Sequence, residues 1–132
     1  MTVAPNFSPA QLSAAGIRAF VNIADAWGLT VEERLRLLGE PPRSTYFAWR
    51  KAPEKAQLSR DTLERISNVL GIYKSLQILL PDPKAADAWV KQLNTAEIFG
   101  GRSALSRMLA GNVSDLHAVR QYLDSMRGGG WS

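Results

Sequence analysis

Apolar positions recur every three to four residues along nearly the whole chain, and no alternating run of β-branched residues competes with them. The pattern predicts an all-α protein. In "SPAQLSAAGIRAFVNIADAWG" Ser8 stands as an N-cap, Pro9 at the first helical position and Gln11 at capping-box spacing. Leu12, Gly16, Phe20, Ile23 and Trp27 then fall on one face, and Gly28 is placed to close the helix in a left-handed turn. Thr30 and Glu33 repeat the capping-box spacing for a short second helix, with Val31, Leu35 and Leu38 as its apolar face and Gly39 as its stop. Beyond the breaker "EPPR", "STYFAWRK" predicts a third helix capped by Ser44 and ended by the restriction Pro53 places on Ala52.

The longest periodic stretch, "LSRDTLERISNVLGIYKSLQILLP", carries Leu63, Ile66, Leu70, Tyr73, Leu76 and Leu80 on one side. Gly71 in its middle predicts two helices that meet there. "DPKAADAWVKQLN" reads as a helix through Ala85, Trp89 and Leu93. "SALSRMLAG" reads as a short helix, and "VSDLHAVRQYLDSMRGG" as a last amphipathic one through Leu116, Val119, Leu123 and Met126. The punctuation "LLPDP" divides the chain near residue 81 into a helical domain over 1–81 and a second over 82–132. Neither half has enough apolar faces to bury alone, so the two are expected to share a core.

Composition narrows the chemistry. With 132 residues, 45% of them hydrophobic, the chain has the material for one core. It has no stretch of the roughly 18 to 20 uncharged apolar residues that a membrane span needs, nor a basic segment leading into an apolar run at its start. A cytoplasmic protein without membrane contact is expected. No cysteine is present, which removes disulfides, thiolate nucleophiles and thiolate metal sites. With a single histidine, His117, no metal ligand set can be assembled. Ser114, His117 and Asp124 lie along one strip of one helix and cannot converge on a reacting atom as groups from separate elements do. "FGGR" lacks the further glycines and the lysine of a phosphate loop and reads as a tight turn. Neither catalysis nor a cofactor is expected.

The net charge of +4 is unevenly placed. Residues 82–132 hold six Lys/Arg against five Asp/Glu, whereas in "RSTYFAWRKAPEK" Arg43, Arg50, Lys51 and Lys55 face only Glu54. Thr30 to Lys51 has the proportions of a helix-turn-helix, in which the first turn of the second helix meets the major groove. Ser44, Thr45 and Tyr46 would then reach phosphate or base edges, and Arg43, Arg50 and Lys51 would neutralise phosphates, with Trp49 and Phe47 facing inward or flanking the backbone. The alternative is two packed amphipathic helices with a solvated basic face. So few cations limit a monomer to weak, salt-sensitive binding, so that operator recognition would need a dimer.

The second half carries a family resemblance. "LERISNVLGIYKSL", the tryptophan and asparagine of "WVKQLN", "FGGRSALSRML" and "DLHAVRQYLDSMRGGGW", in that order and spacing, resemble the toxin-binding domain of the Xre/MbcA/ParS family of bacterial antitoxins. The leading helix and helix-turn-helix-like pair are similar to the Xre-like domain that precedes it in that family. Where the family commonly has a small residue and proline before the leucine after "GGR", this chain has Ser103 and Ala104. The resemblance implies that the protein neutralises a RES-domain toxin, an enzyme that consumes NAD by glycohydrolysis or ADP-ribosyl transfer. It also implies a homodimer within a larger toxin–antitoxin complex, and repression of the shared operon. A free-standing dimeric transcriptional regulator is the alternative.

If a toxin is bound, its contacts are expected on Arg102, Arg120, Arg127, Gly128, Gly129, Gly130, Trp131 and Ser132, with Arg127 and the exposed face of the last helix as the docking surface. Extended, "GGGWS" spans roughly 17 Å, enough to reach into a nucleotide-sized cleft from a docked helix. Glycines pass a narrow entrance, and the indole of Trp131 is an anchor whose burial contributes about 3 kcal/mol. In the competing reading Gly128 ends the last helix in a left-handed turn and Trp131 folds back onto its own core.

Overall fold

The structure is a computed structural model and describes residues 8–128. These residues form seven α-helices: α1 (Pro9–Ala26), α2 (Val31–Leu37), α3 (Arg43–Lys51), α4 (Arg60–Leu79), α5 (Pro83–Ala88), α6 (Ala104–Met108) and α7 (Val113–Gly128). Single 3-10 turns over Pro53–Lys55 and Trp89–Lys91 complete the described elements, apart from one isolated antiparallel bridge between Leu93 and Ser103. The all-α expectation holds.

Local signals set the first helices. Ser8 Oγ accepts from the Gln11 amide at 3.2 Å while the Ser8 amide donates to Gln11 Oε1 at 2.8 Å, a complete capping box. Thr30 and Glu33 build the same device, at 3.1 and 2.8 Å. Gly28 and Gly39 follow α1 and α2 with φ of +63° and +91°, the conformation that L side chains rarely adopt. At α3 the expectation fails: Pro42 occupies the N-cap, and Ser44 lies inside the first turn.

The spine is α4, and it does not break. It runs unbroken for 20 residues through Gly71 and packs most extensively on α7 and next on α1. A glycine costs a helix interior about 1 kcal/mol, which tertiary packing on both sides readily offsets. Its inward face is also rotated from the expected one. Ile66, Val69, Ile72 and Leu76 are buried, whereas Leu63, Leu70 and Tyr73 are only half-buried. Single side chains fasten the neighbours: the rings of Trp27 and Tyr73 lie 6.3 Å apart, tying the end of α1 to α4.

In the second half α5 ends at Ala88 instead of continuing through Leu93. Trp89 begins a 3-10 turn, and Leu93 stands 83% exposed beside the bridge to Ser103. The reason is the loop that follows, closed on itself by Asn94 N–H to the Arg102 carbonyl at 2.9 Å and Gly101 N–H to the Asn94 carbonyl at 3.0 Å. Gly100 and Gly101, with φ of +57° and +85°, make the expected tight turn. Ser103 then caps α6 through its Oγ, 3.0 Å from the Ser106 amide, so Ala104 at the helix start leaves the cap intact. An edge-to-face relay of Trp89, Phe99 and Tyr122, with centroids 5.8 and 5.3 Å apart, holds the loop against α7.

The two halves share one core, running from Ile17 and Phe20 in α1 through Ile72 in α4 to Met108 in α6 and Leu116 and Leu123 in α7. Arg36 of α2 reaches the end of α6. Its Nε donates to the carbonyl of Leu109, the C-cap of α6, at 2.9 Å and its Nη2 to the Ala110 carbonyl in the turn that follows at 3.3 Å.

Candidate functional site

The helix-turn-helix-like pair is present, but its side chains are not disposed as the spacing suggested. Tyr46 does not face outward. It is 0% exposed, and its hydroxyl accepts from Arg34 Nη1 at 3.3 Å. Arg34, a residue the sequence pattern passed over as polar, is itself buried, with Nε donating to the Leu29 carbonyl at 3.0 Å and Nη2 paired to Asp25 at 2.9 Å. Burial works against its charge, yet the Tyr46 and Asp25 contacts outweigh it and hold the guanidinium above its ordinary pKa. The pair locks α2 against α3. Tyr46 is therefore a core residue.

Arg43 is exposed but occupied. Its Nη1 meets Glu32 Oε1 at 2.6 Å, and its guanidinium lies 5.7 Å from the centre of the Phe47 ring. The hydrogen bond from Arg43 holds the Glu32 carboxyl below its ordinary pKa. Ser44, Arg50 and Lys51 are exposed and Thr45 half-buried, so the outer face of α3 keeps two cations without an ion-pair partner among the described residues. Trp49 packs against the core as expected, while Phe47 stands 40% exposed on the outside.

Where α7 packs on α4, two of the arginines expected to contact the toxin come together. Arg120 Nη1 donates to the Ser67 carbonyl at 3.2 Å, and its Nε lies 3.7 Å from Asp124 Oδ2. Arg127 Nη1 reaches Ser75 Oγ at 3.4 Å and Asp124 Oδ1 at 4.0 Å. The buried Ser75 hydroxyl donates to the same Asp124 oxygen at 2.8 Å. Gly71 is what lets Arg120 lie flat. A Cβ there would stand 2.6 Å from Arg120 Cζ, so the missing side chain leaves room for the guanidinium over α4. The sequence signal for this was Gly71 itself, which suggested a break and marks a close approach.

Arg102 does not join this group. It is exposed in the Asn94–Ser103 loop. That loop is secured from within by Arg107, whose Nε donates to Asp115 Oδ1 at 2.8 Å and whose Nη1 donates to the Ile98 carbonyl at 3.1 Å. Burial alone would raise Asp115, but the bonds from Arg107 and Asn112 prevail and hold its carboxyl below the ordinary range. Gly128 remains within α7 without left-handed backbone, so it does not end the helix in the turn that one reading of the tail required. Gly129, Gly130, Trp131 and Ser132 lie outside the described residues. His117 is exposed on α7, and no acidic or histidine cluster able to hold a metal occurs among the described residues. None of the described helices is long and apolar enough to cross a membrane.

An unbroken helical spine, a helix-turn-helix-like pair before it and an arginine-bearing terminal helix packed on it define an all-α protein of two helical parts built on one shared helix. Family models agree over nearly the whole length: residues 7–71 match the antitoxin Xre-like helix-turn-helix domain, and residues 75–129 match the antitoxin Xre/MbcA/ParS C-terminal toxin-binding domain. The chain is 46% identical over 125 residues to the uncharacterized protein y4oB of Sinorhizobium fredii, covering 92% of this chain and 94% of that protein. The protein belongs to the Xre/MbcA/ParS antitoxin family, and its C-terminal part is a toxin-binding domain. The short gap between the two matched segments, residues 72–74, falls inside α4, the helix that serves both halves of the core.

Proposed function

We propose that this antitoxin neutralises a RES-domain toxin that consumes NAD, and that it does so by blocking the toxin's active site with the end of α7 and the tail beyond it. The observation that carries the reading is the toxin-binding-domain match over residues 75–129, which takes in the whole of α7 with its Arg120 and Arg127. In this reading Arg120 and Arg127 orient the docked helix, Arg102 adds a contact from the loop, and Gly128 to Gly130 carry Trp131 and Ser132 into the cleft. Residues 1–81 form the operator-binding part and residues 82–132 the toxin-binding part, with α4 common to both cores. The chain acts as a cytoplasmic homodimer within the toxin–antitoxin complex. It performs no reaction and needs no cofactor, consistent with its match to antitoxin families rather than enzyme families.

Autorepression through α3 belongs to the same reading in a reduced form. Ser44, Thr45, Arg50 and Lys51 remain as DNA contacts, Arg43 contributes only if it leaves Glu32, and Tyr46 is withdrawn. Co-expression with the adjacent reading frame tests the proposal. A RES-type protein that co-purifies with the chain and loses its NAD turnover in the complex supports it, and a chain that leaves that turnover untouched contradicts it.

A further inference from the structure

Helix α4 has more apolar surface than its core face uses. Leu63 and Leu70 lie on a second stripe, with Gly71, Lys74 and Ile78 continuing it toward the C-terminal end, and this stripe floors a groove between α1 and α7. The groove has two contiguous parts that share Gly71, Lys74 and Arg120. The first, about 510 Å³, is lined mainly by aliphatic side chains, among them Leu12 of α1. The second, about 550 Å³, is lined by Lys74, Arg120 and Arg127 and runs up to Gly128. Leu12 is 47% exposed and Ile78 53%, two of the few large hydrophobic side chains so open to solvent among the described residues. Apolar surface rimmed by charge on a soluble protein marks an interaction site more often than scattered exposed residues do.

Charge identifies the occupant. Three cations face this groove with one carboxylate, Asp124, which is shared among Ser75 at 2.8 Å, Arg120 at 3.7 Å and Arg127 at 4.0 Å, so the groove keeps a net positive charge. Lys74 has no anionic partner among the described residues. Arg120 stands at the junction of the two parts, held flat over Gly71 by its bond to the Ser67 carbonyl. A guanidinium fixed in this way has little further freedom to lose when a carboxylate arrives, which favours binding over that to a floppy cation.

We infer that this groove is a docking site for a segment of the toxin that carries one or two carboxylates beside an aliphatic or aromatic anchor. The carboxylates meet Lys74, Arg120 and Arg127, and the anchor lies on Leu12, Leu63 and Leu70. The inference rests on the proposed function and deepens it: the toxin is gripped on the α1–α4 side as well as by the tail, so residues of the N-terminal half take part in binding it.

The test uses the full chain and the purified toxin of the neighbouring reading frame, with affinity read by calorimetry. Lys74→Glu and Leu12→Glu change exposed side chains, so both variants should keep the wild-type melting temperature. Each is expected to weaken toxin binding by about tenfold or more, the scale of a central contact or of a charge reversal at an interface. Wild-type affinity in both variants overturns the groove while leaving the proposed function standing. Unchanged toxin affinity with loss of self-association, read by light scattering, also overturns it and makes the groove a contact between two copies. A wild-type chain that binds no toxin overturns both readings.

Discussion

Tyr46 and Arg34 meet inside the helix-turn-helix pair, hydroxyl to guanidinium at 3.3 Å, with Tyr46 wholly buried. The contact makes a residue expected to read DNA into one that holds α3 on α2. Tyr46→Phe should therefore cost about 1 kcal/mol of stability, the net worth of one such hydrogen bond, without altering DNA binding at fixed salt. Urea unfolding checks the first part. A variant as stable as wild type that loses DNA affinity would restore Tyr46 to the outer face.

The Arg43 pair with Glu32 gives a salt-dependent prediction. Arg50→Ala and Lys51→Ala together should lower the slope of log affinity against log salt by about 2 for any DNA bound, since each removes about one phosphate contact. Glu32→Gln should instead strengthen binding, because it releases Arg43. Equal binding by wild type and Glu32→Gln across a salt series would show that Arg43 does not take part.

Much of the framework was legible in the sequence because its causes are local. The capping boxes at Ser8 and Thr30 and the left-handed glycines after α1 and α2 depend on residues three or four apart. The family motif over the second half was legible in the same way, as order and spacing. What escaped depends on distant partners. Gly71 suggested a break because the weight of α1 and α7 on α4 is not written near it, and Tyr46 looked polar and outward because Arg34 lies twelve residues earlier on another helix. Leu93 looked like a helix face, but the loop closed by Asn94 and Arg102 ends the helix first.

Acid stability should depend on Asp115. Its carboxyl is held below its unfolded value of 3.8, so its ion pair with Arg107 contributes fully above that value and is lost as pH falls through the folded pKa. Asp115→Asn should flatten the loss of stability below about pH 4 and lower stability at neutral pH. The urea midpoint measured from about pH 7 to about pH 3 reads both effects, and an unchanged pH profile would show that the Arg107–Asp115 pair does not stabilise the fold.

Gly71→Ala separates packing from binding. The added Cβ gains roughly 0.5–1 kcal/mol of helix preference but pushes Arg120 off the Ser67 carbonyl, and a long flexible side chain can move aside. Net stability should change by less than about 1 kcal/mol while toxin affinity falls. A strongly destabilised variant would mean that Arg120 serves the fold.

The most direct measurement is the toxin's NAD turnover titrated with the full chain and with a chain ending at Arg127. The shortened chain should fold and melt as the full one does, because Gly128 sits in open space, where an added Cβ would meet nothing within 4 Å, yet it should inhibit the toxin far less. A shortened chain that inhibits as well as the full one, whatever its melting temperature, would contradict the claim that α7 delivers the tail into the active site.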